Sequence, residues 1–228
     1  MIRFNVFPGG KKRCVTFSYD DGCDNDARLI ELFDRYGVKG TFHLNGINYL
    51  GYSDEQLKEV GKLYEGHEIS CHTYSHCYPT LMQDQSVVIE IMEDRRVLEK
   101  IAGYPVLGLA YPYGAHSPEV VNILQKHKIV YARTVGATQK FQLPNDFMRW
   151  NTTAHHNANI AALAKKYKTY KPWGGVISLC YIWGHSYEFN NQKNWHVIEN
   201  FCKELSNHPD IWYATTIDIY RYFKAYKN

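Results

Sequence analysis

Short apolar runs alternate along the chain with segments whose apolar residues recur at helical spacing, and this alternation narrows the folds open to it. The runs that read as strands cover residues 14–19, 39–44, 68–72, 106–110, 129–133, 175–181 and 211–214. Helices are expected at 24–36, from 53 to near 66, and at 86–102, 117–127, 159–167, 195–205 and 217–226. Ser53 and Gln56 have the capping-box spacing, and Ser117-Pro118 sets an N-cap before a proline at the first helical position. Residues 136–157 read as irregular, with one strand at 147–150. Strands this apolar are buried on both faces, which implies a parallel sheet. The fold class is therefore α/β. Seven or eight such units favour a (β/α) barrel, complete or slightly open, over a doubly wound sheet. No GxGxxG loop follows the first strand, which counts against a dinucleotide fold. With no Pro/Gly/Ser-rich linker, residues 1–228 read as one domain.

A barrel gathers its chemistry at the C-terminal ends of its strands, and four polar groups fall there. The first strand stops at Asp20-Asp21-Gly22. Adjacent residues at a strand end point in different directions, so the two aspartates do different jobs. Two acids this close also need a positive neighbour, and a divalent cation is the obvious one. The third strand ends in His72-Thr73-Tyr74-Ser75-His76, whose two histidines face one metal if the intervening residues make a helical turn. Two imidazoles and one carboxylate suit Zn²⁺ and leave a coordination position open for water. Cys71 and Cys77 flank this loop, but their adjacency to the histidines lacks the ligand spacing of a structural Cys/His zinc site. Tyr111-Pro112-Tyr113-Gly114 follows the fourth strand and can aim a backbone N–H at a developing oxyanion. Trp183-Gly184-His185-Ser186 follows the strand expected at 175–181.

Composition excludes several classes. A net charge of +3 with no basic run argues against a nucleic-acid partner. No apolar stretch reaches the ~20 residues of a membrane span. The first residues lack the apolar core of a signal peptide, so the chain as written reads as cytoplasmic, or as secreted or periplasmic if a leader was removed. Most of the six cysteines read as reduced, buried small hydrophobes. Nineteen tyrosines suit a cleft that stacks on sugar rings, and equally a core.

The segment Thr16-Phe17-Ser18-Tyr19-Asp20-Asp21-Gly22 resembles the TFDDG motif of NodB-type polysaccharide deacetylases, carbohydrate esterase family 4. His72 to His76 matches their H-[ST]-x-x-H motif, and Tyr111 to Gly114 the latter part of R-x-P-Y-G. His185 sits where they carry a late catalytic histidine. The resemblance implies a metal-dependent enzyme with Asp20 as catalytic base and Asp21, His72 and His76 as ligands of Zn²⁺, or of Co²⁺ or Ni²⁺. It implies the Tyr113 N–H as oxyanion donor and His185 as general acid. The family's arginine falls on Ala110 here, and Arg149 is the candidate to replace it as the partner of Asp20. Asp146 is then expected to orient His185, and Trp150 to wall the cleft. His155 and His156 are further cleft candidates, and read more readily as solvated loop residues.

The function so implied is hydrolytic removal of an acyl group, foremost N-acetyl, from an acetylated sugar or oligosaccharide. The alternatives are a related hydrolase acting on a small non-sugar amide and a catalytically weakened carbohydrate-binding domain.

Overall fold

The computed structural model describes residues 6–171 and 176–225, with nine strands and eight α-helices among them. In chain order these are β1 (Arg13–Asp21), α1 (Asn25–Arg35), β2 (Gly40–Leu44), α2 (Asp54–Leu63), β3 (Glu68–Cys71), α3 (Asp84–Ala102), β4 (Gly108–Ala110), α4 (Pro118–Lys126) and β5 (Tyr131–Ala137). They continue as β6 (Trp150–Thr152), β7 (Ala154–His155), α5 (Ile160–Lys168), β8 (Ser178–Gly184), α6 (Ser186–Asn191), α7 (His196–Leu205), β9 (Ile211–Tyr213) and α8 (Thr216–Ala225).

The strand order is β6-β5-β4-β3-β2-β1-β8-β7, and the recorded pairings are parallel. The two ends of this path are consecutive in the chain. Only Thr153 separates β6 from β7, and it exchanges hydrogen bonds with Tyr181 of β8: its N–H donates to the carbonyl at 2.8 Å and its Oγ1 accepts the Tyr181 N–H at 3.0 Å. The sheet thus closes into the expected barrel. β9 pairs with β1 at Arg13 to Val15, below the point where β2 pairs with Phe17 to Asp21. It is a partial eighth stave.

β1 shows how sequence sets the two faces. Val15, Phe17 and Tyr19 belong to the large apolar cluster shared with the helices, while Thr16, Ser18 and Asp20 are buried on the alternate face. That second face looks into the barrel, whose interior is partly polar. Near its lower end the buried Glu68 accepts hydrogen bonds from Tyr131 Oη at 2.6 Å, Thr41 Oγ1 at 2.9 Å and the Ile217 N–H at 2.9 Å.

Four local expectations are corrected. No helical turn joins His72 to His76; Thr73 (φ 62°) and His76 (φ 55°) take left-handed backbone instead. The strand expected at 175–181 is β8, displaced toward its C-terminus because β1 and β7 keep it paired to Gly184; Gly175 lies outside the described residues. Residues Phe147–Arg149 form a 3-10 turn, and the strand begins only at Trp150. Helix α6 was not anticipated. The capping box holds, with Gln56 N–H donating to Ser53 Oγ at 3.3 Å and Ser53 N–H to Gln56 Oε1 at 2.8 Å. Tyr226, the expected end of the last helix, is also outside the described residues.

Burial pushes the Glu68 carboxyl up to about 7, against the hydrogen bonds it accepts. A folded-state value above the unfolded one means that stability falls as pH rises between the two. The Glu68→Gln variant should therefore lose less stability than the parent between pH 5 and pH 8, read by urea unfolding at both values.

Candidate active site

β1 carries two carboxylates to the mouth of the barrel and splits them. Asp20 is 3% exposed and faces inward, while Asp21 has a left-handed backbone (φ 78°) and sits at the rim. Arg133 of β5, fully buried, reaches across the interior and pairs through Nη2 with Asp20 Oδ2. Its guanidinium lies 4.5 Å from the centre of the Trp183 ring, and its Nη1 donates to the Thr134 carbonyl at 3.2 Å. Burial alone would raise the Asp20 carboxyl. The Arg133 charge, followed by His72, His43 and His185, outweighs burial and holds it well below the usual carboxylate range.

This corrects the expected partner of Asp20. Arg149 pairs instead with Asp146 at 2.8 Å, three residues away on a half-exposed turn. Asp146 also accepts the Met148 N–H at 2.8 Å and so caps that turn rather than orienting His185. Trp150 is buried against Tyr131, Tyr181 and Phe147 inside the barrel and does not wall a cleft. The residue paired with Ala110 across β4 and β5 is Arg133 itself. The positive charge stands one strand along the barrel from position 110.

Asp21, His72 and His76 come together. Asp21 Oδ1 is 3.5 Å from Nε2 of each histidine. His72 Nδ1 faces the Ala110 carbonyl at 2.8 Å, so Nδ1 carries the proton and Nε2 offers its lone pair to the centre. The loop that carries both histidines is tied down from below. Asn45 Nδ2 donates to the carbonyls of His72 (2.9 Å) and Thr73 (2.8 Å). Asp94, buried on α3, accepts the N–H of His72 at 2.9 Å and of Gly46 at 2.7 Å. His76 Nδ1 is 3.1 Å from Tyr113 Oη, and the Tyr113 ring stacks on Tyr78 with centres 3.7 Å apart. Tyr113 has φ 57°, a strained value for a residue with a side chain. His43, opposite Asp20 in the β1–β2 register, completes the inner wall; burial lowers its imidazole to about 3, so it is neutral.

His185 stands on the other side of Asp21, with Nε2 3.9 Å from Asp21 Oδ2. Its Nδ1 faces Glu188 Oε1 at 3.4 Å, one helical turn on. Burial would lower the His185 imidazole, but Glu188, Asp20 and Asp21 outweigh it and raise its value. Glu188 in turn is held low: burial pushes it up, and His156 and His185 pull it down further. His156 is fully buried with Nε2 2.6 Å from Glu188 Oε2, and His155 Nε2 lies 3.4 Å from the same oxygen. Neither is a solvated loop residue. Gly184 permits this packing, since a Cβ there would meet His156 Nδ1 at 2.2 Å. The start of α6 is anchored by Ser186 Oγ, which donates to the buried Asp26 of α1 at 2.5 Å.

Among the described residues, the groups able to offer three converging ligand atoms are Asp21, His72 and His76, and separately His155, His185 and Glu188. Neither includes a cysteine, so among the described residues Cys71 and Cys77 join no such group, against the Cys/His zinc alternative.

The polysaccharide deacetylase family profile matches residues 8–132, more than half of the chain, and the chain belongs to that family. It is 30% identical over 104 residues to a peptidoglycan-N-acetylglucosamine deacetylase of Bacillus cereus, covering 44% of this chain and 36% of that protein. It is 29% identical over 119 residues to a chitin deacetylase of Arthroderma benhamiae, covering 50% of this chain and 31% of that one. The chain thus spans about a third of the length of the curated relatives it matches. Among solved structures it resembles PuuE allantoinase (TM-score 0.74, 12% identity, 99% and 94% of the two chains). It also resembles a family 4 acetyl xylan esterase from Clostridium thermocellum in complex with a cobalt ion (0.61, 18%, 91% and 90%). A third likeness is to a CE4 family pseudoenzyme from Bacillus anthracis (0.61, 15%, 93% and 66%). Enzymes and a pseudoenzyme share this fold, so function has to be argued from the side chains. Among the described residues no helix is long and apolar enough to cross a membrane.

Removing one member of a buried ion pair strands the other. Arg133→Ala should destabilise the protein by about 3–5 kcal/mol, whereas Arg149→Ala, at a half-exposed pair, should change stability by less than about 1 kcal/mol. Urea unfolding of the two variants compares them directly.

Proposed function

We propose that the chain is a metal-dependent hydrolase that removes the acetyl group from an N-acetylated sugar within an oligosaccharide. The observation that carries this reading is the convergence of Asp21, His72 and His76 on one point beside an ionised, buried Asp20. The donor set fits a borderline cation: two imidazole Nε2 atoms and one carboxylate oxygen, with the His72 tautomer fixed by the Ala110 carbonyl. Zn²⁺ is the first choice, and Co²⁺ or Ni²⁺ suit the same ligands. A cation held there acidifies a ligating water and polarises the substrate carbonyl.

The remaining steps belong to the chain's own residues. Asp20 accepts the proton of the attacking water. Arg133 keeps its carboxylate ionised and aimed, and Asp20 Oδ1, which has no hydrogen-bond partner, is free for that proton. The backbone N–H of Tyr113 donates to the oxyanion that develops on the carbonyl, a contact worth about 3 kcal/mol in comparable sites. His185, whose hold on its proton Glu188 strengthens, gives that proton to the departing amine, which is otherwise too basic to leave. The carbohydrate-binding alternative draws on the arginine missing at Ala110 and on the abundant tyrosines, and Arg133 removes the first of these supports.

Asp20→Asn should lower kcat on acetylated chito-oligosaccharides by about 10²–10⁴-fold while the protein still binds zinc. His76→Ala should lose both. Acetate release and elemental analysis read the two effects, and near-parental turnover by Asp20→Asn would refute the assignment of the base.

A further inference from the structure

A second set of ligand atoms converges on the far side of His185 from the Asp21 group. One ring nitrogen each of His155 and His185 and one Glu188 oxygen all lie within 4.8 Å of one another. The carboxylate sits centrally, with Oε2 3.4 Å from His155 and Oε1 3.4 Å from His185. Beneath it, the fully buried His156 brings Nε2 to 2.6 Å of Oε2. These are close approaches, yet neither ring nitrogen of His156 nor Nδ1 of His185 makes an aligned hydrogen bond. Three imidazoles directed at one carboxylate exceed what orienting a single histidine requires.

We propose that His155, His185 and Glu188 form a second site for a divalent transition-metal cation, with His156 closing it from the protein interior. Two or three imidazoles and a carboxylate are the donors that Zn²⁺ takes in protein sites, with Co²⁺ and Ni²⁺ close behind. The site shares no residue with Asp21, His72 and His76. It is the weaker of the two, because Glu188 is already engaged by His156 and the cation has to displace that contact.

Occupancy has a functional consequence, which rests on the deacetylase reading above. A cation on Nδ1 of His185 fixes the ring proton on Nε2 and takes Glu188 away from that ring. His185 then no longer serves as proton donor to the leaving amine. Zinc is therefore an activator at low concentration, through the Asp21 group, and an inhibitor in excess, through the His155 group.

The test counts bound zinc in the full chain. Metal-free protein is equilibrated with buffered free Zn²⁺, bound metal is measured by elemental analysis, and folding is checked by thermal melting. The parent should reach two equivalents at excess zinc, and His155→Ala and Glu188→Gln should each stop at one. Asp21→Ala should keep the equivalent that those two lose. Acetate release by the parent should fall by about 100-fold as the second equivalent fills, while His155→Ala should show no decline over the same range. A parent that saturates at one equivalent overturns the proposal, as does a folded His155→Ala protein that retains two. The zinc count does not depend on turnover, so a failure to release acetate from any acetylated sugar counts against the deacetylase reading alone.

Discussion

A carboxylate removed from water stays ionised only beside a matched positive charge, and Asp20 and Arg133 meet that condition across the inside of the barrel. Much of the mouth of the barrel is arranged around this pair. Arg133 arises from β5, four strands from β1 in the sheet order, so the contact exists only because the sheet closes. The Trp183 ring covers the guanidinium and keeps water from it. With its charge matched inside the barrel, Asp20 still comes to 3.9 Å of His72 Nε2, while Asp21 turns outward through a left-handed backbone to face His72 and His76. One pair of adjacent aspartates thus acquires two environments.

The remaining site residues are held by backbone contacts more than by packing. The His72 loop hangs from Asn45, Asp94 and the Ala110 carbonyl, each on a different element. Asp94 sits deep enough for burial to push its carboxyl up to about 8, despite the two N–H groups it accepts. The His185 side is organised differently. Asp26 of α1 grips Ser186 at the start of α6, and α6 carries Glu188 beneath His185. Three histidines share that one carboxylate.

Features written locally in the chain were legible in its sequence. The βα alternation foreshadowed a closed parallel sheet, and the Asp20-Asp21 and His72 to His76 motifs named residues that the fold brings together. The partner of Asp20 was not legible. Arg133 lies 113 positions away, and only the strand register shows that it stands opposite Ala110. A charged residue closing the otherwise apolar run 129–133 was the available signal. Arg149 looked plausible because its spacing matched a family motif, but the turn it occupies satisfies it with Asp146. Glu188 was within reach, three residues after His185, and went unread because the short helix α6 was not expected.

X-ray absorption at the zinc edge, on protein loaded with one equivalent, tests most directly whether Asp21, His72 and His76 grip a single cation. The structure predicts a first shell of nitrogen and oxygen at about 2.0–2.2 Å, with the outer scattering of two imidazole rings. Sulfur at about 2.3 Å, or a shell without imidazole scattering, would contradict it.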